Sequence, residues 1–383
     1  MKKLQQLIPI LHWLPNYKSS WVRGDIVAGI TVAIILIPQG IAYALIAGLP
    51  PVYGLYSALA PQIMYAIFGS SRQVAIGPVA MDSLIVATGV STLALVGSES
   101  YITIAILLAF MVGVIQFLMG VFQLGFIVNF LSKPVITGFT SAVALTIGLN
   151  QFRNLLGVDF IQTDQIQYLL EDIWLNIPDF HLPTAIIGII SAVLILVFRK
   201  INKKIPNALI VVVVGILAIR YVGEYFSEVD IVKDIPSGLP SFTKPELDLD
   251  QIRELLPIAL TLVMVGYLET ISIGKSLEAK QDDYRIRPNQ ELIALGLSNL
   301  VGSLFKAYPS ASSFSRSAIN QESGAKTGVA SLVSVLVVLG TILYLTPLFY
   351  HLPKSVLAAI IIVAVFGLIN IKEAVYLWKA DHM

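Results

Sequence analysis

Long apolar runs separated by short polar stretches dominate this 383-residue chain. A helix needs roughly 20 mostly apolar residues to cross a bilayer. By that measure the candidate spans are 26–47, 50–68, 74–95, 101–123, 126–149, 183–199, 205–222, 255–278, 289–306, 308–320, 327–349 and 355–371. Several are too short, or too rich in Pro and Gly, to be simple through-helices. The stretch ahead of the first span has a short apolar run interrupted by Pro9, His12 and Pro15, which does not fit a cleavable signal. It reads as an interfacial segment, residues 1–25, with Trp13, Tyr17 and Trp21 at headgroup depth and Lys18 and Arg23 facing the cytoplasm.

Composition agrees with this pattern. Hydrophobic residues make up 56% and charged residues 13%, against roughly 25% charge in soluble domains, and the mean hydropathy is +0.81. Disordered chains, nucleic-acid binders and ordinary soluble enzymes are excluded. The net charge of +1 gives no bias towards a polyanionic partner. Without cysteine there are no thiolate metal sites, and the four histidines are scattered without metal-ligand spacing. No P-loop, GxSxG or HExxH motif occurs, so neither an enzyme nor a cofactor is expected. The chain reads as an all-α polytopic membrane protein.

Charge sets its orientation. The connection Arg199-Lys200-Ile201-Asn202-Lys203-Lys204 is basic, whereas the long loop 154–182 carries five acids and no Lys or Arg. By the positive-inside rule the first is cytoplasmic and the second external, which puts the N-terminus inside. Seven spans then precede an external polar loop, 223–254. A second set following an odd number of spans is inverted. Span 3 opens on Gly77-Pro78-Val79-Ala80-Met81-Asp82-Ser83 and span 10 on Tyr308-Pro309-Ser310-Ala311-Ser312-Ser313-Phe314-Ser315-Arg316. Interrupted segments at matching places in two halves point to a midplane site in an inverted-repeat transporter, because non-helical backbone survives at that depth only in protein or along a cavity.

Polar residues inside spans are functional candidates. In span 1, Pro38-Gln39-Gly40-Ile41-Ala42-Tyr43 breaks the helix and offers an amide and a phenol one turn apart, with Gln39 in need of a hydrogen-bond partner. Span 10 holds five serines and Arg316 within residues 310–317. A half-helix starting near Ser312 would leave the amides of Phe314, Ser315 and Arg316 free at its positive end. With hydroxyls and one guanidinium they describe an anion site, unless the serines only make helix contacts and Arg316 snorkels. In span 8, Glu269 shares a small and polar stripe with Gly266, Ser272 and Ser276 and so faces protein or a cavity. It either carries a proton or pairs with Arg316. Asp82 either supports the site or caps and ties the broken segment.

At these residues the chain resembles the SulP family of sulfate permeases, which includes animal anion exchangers. The resemblance rests on Ile37-Pro38-Gln39-Gly40-Ile41-Ala42-Tyr43-Ala44 followed by Ala47-Gly48-Leu49-Pro50-Pro51-Val52-Tyr53-Gly54-Leu55-Tyr56-Ser57. It continues in Asn289-Gln290-Glu291-Leu292-Ile293-Ala294-Leu295-Gly296, Gly302-Ser303-Leu304-Phe305 and Ser313-Phe314-Ser315-Arg316-Ser317. It implies a fold of two inverted sevens of membrane segments, shared with uracil permeases. Core spans would occupy 26–123 and 255–349, gate spans 124–222, and the start of the second gate half 350–383. It implies an anion held by Gln39, Tyr43, Val79, Ser313, Ser315 and Arg316, with the Phe314 amide beside them, and proton coupling through Glu269. Where sodium-coupled bicarbonate members carry an aspartate, this chain has Ile273, which argues against sodium. Two further spans and a cytoplasmic STAS domain are usual in the family, so a fragment is expected. The expectation is proton-coupled sulfate symport by alternating access, in a homodimer in the inner (plasma) membrane, with no nucleic acid or metal. A chloride, bicarbonate or dicarboxylate exchanger and a non-transporting anion sensor are the alternatives.

Overall fold

The computed structural model describes residues 7–130, 133–158, 166–176, 178, 180–201, 207–221, 225–226, 228–279, 281 and 284–366. The described residues are mainly helical, with one two-residue strand pair. Among the described residues five helical stretches are long and apolar enough to cross a membrane: Ser19–Ile46, Glu99–Val121, Leu182–Ile201, Leu249–Glu278 and Val329–Phe349. Two compact units emerge, one of residues 1–128 and 236–346, the other of 129–235 and 347–383.

The first unit opens with α1 (Ile10–Trp13) and a 3₁₀ turn. Trp13 is buried against protein, 4% exposed, with its ring beside Gly328. Tyr17 and Trp21 stack edge to face, and the Lys18 ammonium lies over the Trp21 ring. The first span, α2 (Ser19–Ile46), starts well before residue 26 and runs unbroken through Pro38. Proline removes one ladder bond, yet the helix continues. Then come α3 (Pro51–Tyr56) and α4 (Ala60–Phe68), two pieces where a single span was expected. Their split follows from a Pro at the start of each piece. The α2–α3 crossing is tight: a Cβ on Gly54 would sit 1.9 Å from the Gly40 carbonyl oxygen, so only glycine fits.

Strand β1 (Ile76–Gly77) leads into α5 (Ala80–Val90), and α6 (Glu99–Val121) follows. After the polar connection come α11 (Leu249–Glu278), α12 (Pro288–Leu304), β2 (Ala311–Ser312), α13 (Phe314–Glu322) and α14 (Val329–Gly340). Span 11 does not stay α-helical to 349, since a π turn (Thr341–Leu345) and a 3₁₀ turn (Thr346–Phe349) end it. The core joins Val86, Tyr101, Leu107, Leu108, Leu262 and Tyr308, all at most 1% exposed.

In the second unit lie α7 (Lys133–Leu156), α8 (Ile166–Asn176), α9 (Leu182–Ile201), α10 (Asn207–Tyr221) and α15 (Lys354–Phe366). Helix α8 falls inside the stretch expected to be a loop, and it is held by burying Leu169 and Ile173 with Val158. The basic residues Lys203 and Lys204 lie outside the described residues. The polar connection is shorter than 223–254, because Asp248 caps α11 by accepting from the Asp250 and Gln251 amides. Its two ends belong to different units: Ile231 bridges to Pro353 in one, while the Thr243 amide donates to the Leu304 carbonyl in the other.

Candidate functional site

The two interrupted segments meet strand to strand. β1 and β2 pair antiparallel, Ile76 with Ser312 and Gly77 with Ala311, and each runs directly into a half-helix. Antiparallel pairing of two strands that each lead into a helix points the N-termini of α5 and α13 towards one another. Each end carries orphan amides and a positive dipole. Val79, the N-cap of α5, makes no side-chain cap bond. Ser313, the N-cap of α13, receives the Arg316 amide on its Oγ at 3.5 Å. That amide is therefore taken by the cap. Those of Phe314 and Ser315 make up the rest of the open turn. The half-helix begins at Phe314, two residues later than expected.

Arg316 ties three segments together. Its side chain is fully buried, Nη1 donates to Gln39 Oε1 at 3.3 Å and Nη2 to the Pro78 carbonyl at 3.0 Å. It does not snorkel. Gln39 thereby finds the partner its place in span 1 required. The third donor, Nε, is buried without a hydrogen-bond partner. Buried guanidinium donors are normally satisfied, and this one is not. Gly77 lies beside this guanidinium. It has φ +152°, and a Cβ there would lie 3.4 Å from Arg316 Nη2.

Around this centre the other expected residues gather. Gln39, Tyr43, Val79 and Ser313 are 6–8% exposed. Ser313 and Ser315 hydroxyls lie 3.3 Å apart, and the Tyr43 phenol is an electrostatic neighbour of Arg316. Phe314 and Ser315 themselves are exposed. Glu269 is half-buried on α11 and interacts electrostatically with Asp82 and Arg316. Among the described residues the ion pairs within 4.0 Å do not include Glu269 with Arg316. The polar stripe expected on α11 is not shared as drawn: Ser272 and Ser276 are exposed. The buried hydroxyl beside Gly266 is instead Thr270, which donates to the Gly266 carbonyl and bonds Ser312 of β2. Asp82 makes no cap bond for α5. Ile273 is buried in an aliphatic cluster.

Several supporting residues escaped the sequence reading. Tyr308 shares a hydrogen bond with Ser83 at 2.9 Å, and Asn299 accepts from the Ser310 amide at 2.8 Å, fixing the approach to β2. Asp25 is fully buried and accepts from the Lys326 and Thr327 amides, the Thr327 hydroxyl and Tyr17. Glu291 accepts from Tyr65 and from both the amide and hydroxyl of Ser70. An acid at a span end signals such a role only weakly, since its partners lie some 220–300 residues away in sequence.

A protein-family model described as the sulfate permease family matches residues 22–383. The chain is 40% identical over 385 residues to sulfate transporter 4.1, chloroplastic, of Arabidopsis thaliana, covering 99% of this chain and 56% of that protein. It thus spans little more than half the length of that relative. Among solved structures it is similar to SLC26A9, with TM-score 0.92 and 31% identity over 99% of this chain and 63% of the other. It also has the fold of the transmembrane domain of the cyanobacterial bicarbonate transporter BicA, with TM-score 0.83 and 22% identity over 92% of this chain and 91% of that one.

Proposed function

The chain belongs to the sulfate permease family, and on that premise we propose that it is the membrane part of a secondary transporter that moves a small inorganic anion, sulfate first, together with protons. The observation that carries this reading is Arg316, fully buried, with two donors spent on bridging segments 1 and 3 and a third unspent. One fixed positive charge among hydroxyls and helix-end amides attracts an anion without trapping it, which suits a carrier that must also release its cargo. That the Arabidopsis relative is a sulfate transporter supports sulfate as that anion.

In this mechanism the anion reaches the facing ends of α5 and α13 from outside. Arg316 Nε, the hydroxyls of Ser313 and Ser315 and the first-turn amides replace its water. Glu269 takes up a proton in the same step, which removes a negative charge near the anion. Anion and proton affinities then rise together, each by the same factor. All of these residues belong to the first unit, which suits it to be the body that carries the anion in alternating access, with the second unit as gate. Exposed aliphatic side chains on α9, among them Ile189, Ile190, Val193 and Leu196, suit a lipid surface. The reading places the N-terminus in the cytoplasm and the protein in the plasma membrane as a homodimer.

The test is uptake of radiolabelled sulfate into proteoliposomes with and without an inward proton gradient. Wild type is expected to show gradient-stimulated uptake, with coupling in the usual range of about 5–150-fold, and Glu269→Gln to show clearly weaker stimulation. Full stimulation in Glu269→Gln would remove it as the proton carrier. Chloride, bicarbonate and dicarboxylates as competitors identify the cargo.

A further inference from the structure

Asp82 is the one acid near the site to which the mechanism above gives no work. It lies in the first turn of α5, 2% exposed, and its Oδ1 is buried with no hydrogen-bond partner. The polar groups around it are well paired. Ser83 bonds Tyr308, and Asn299 Nδ2 donates to Gln116 Oε1 and to the Ser310 carbonyl, both at 3.1 Å. Asp82 Oδ1 thus stands unpaired, as does Arg316 Nε. An ionised carboxylate buried without a partner is costly, and a bound proton removes that cost.

The surroundings fit such a proton. Opposite Asp82, α11 presents Gly266. A Cβ built there would lie 3.4 Å from Ala311 Cβ, 3.8 Å from Gln116 Nε2 and 3.9 Å from Asp82 Oδ2. Glu269 lies three residues further along α11, and its charge and that of Asp82 act on one another. The other titratable groups here are Tyr308 before β2, Arg316 on α13 and Tyr43 on α2, while α6 contributes only the neutral Gln116. The site thus sets one guanidinium against two acids. With both acids ionised, a dianion would enter net negative surroundings.

We propose that Asp82 binds a second proton alongside Glu269, so that each dianion is accompanied by two protons shared across the α5–α11 contact. This rests on the proton-coupled reading of the same site. The two are separable by the pH dependence of sulfate affinity, measured by radiolabelled binding to the purified full chain between pH 6 and 8. Each proton taken up with the anion makes affinity fall about tenfold per pH unit in the range where the acids ionise. Wild type is expected to lose about 100-fold per unit, and both Asp82→Asn and Glu269→Gln about tenfold. Gly266→Ser is the second variant. Its Cβ makes ordinary contacts, its hydroxyl gives Asp82 a permanent donor, and its steepness is expected to match Asp82→Asn.

A wild-type loss of about tenfold per unit, unchanged in Asp82→Asn, would overturn the second proton and leave the Glu269 reading standing. A wild-type steepness that survives in both Asp82→Asn and Gly266→Ser would also overturn it. Sulfate affinity independent of pH in wild type would sink proton coupling altogether.

Discussion

Single side chains with many partners hold the start of the first span and the candidate site. Asp25 is the clearest case outside the site: one carboxylate gathers four donors from α2's neighbours. Tyr17 is one of them, at 3.1 Å, and burial together with the nearby Asp25 charge pushes its phenol up to about 12. The sign is fixed by the neutral form being favoured. The bond contributes fully below the ordinary phenol value of 10.0 and is lost as pH rises towards 12. Tyr17→Phe is expected to cost about 1 kcal/mol at pH 8, seen as a lower melting temperature in detergent. The gap to wild type should close between pH 10 and 12, and a gap constant across that range would remove the phenol–carboxylate bond as its source. Of these residues only the site was legible in sequence. Gln39, Glu269 and Arg316 announce themselves because polar groups are expensive in an apolar span. Asp25 sits at a span's polar edge, where an acid raises no such alarm.

At the scale of elements, the broken segments hold the proposed site, and the sequence showed where they break but not how they are joined. Pro78 and Pro309 mark the interruptions. Two-residue strands leave no period to read, so the β1–β2 pairing is a product of tertiary folding. The same limit explains α8, whose acidic composition resembles a loop until Leu169 and Ile173 find a cover. Pro38 is the opposite error, since its surroundings carry the helix across the missing bond. Gly77 tests the strand pair. An alanine there meets an unfavourable φ, costing about 1–3 kcal/mol, and places a methyl against the Arg316 guanidinium. Gly77→Ala is expected to weaken sulfate binding at least about tenfold, and unchanged affinity would mean that the strand geometry does not position Arg316.

For the whole molecule, the division into two units sets the candidate site apart in one of them. Every residue of the site lies in the first unit, whose two chain stretches come from opposite halves of the sequence. That interleaving was foreshadowed by the odd number of spans before the polar connection, because an inverted second half must pair its third segment with the first half's third. The central claim is that the paired half-helix ends and Arg316 form an anion site. The most direct test is equilibrium binding of radiolabelled sulfate to the purified protein and to Arg316→Ala. Losing the one charge-assisted bond that Nε makes to the anion, about 1.5–3 kcal/mol, predicts a fall in affinity of about 10- to 100-fold. Sulfate binding of equal strength in Arg316→Ala would contradict the account.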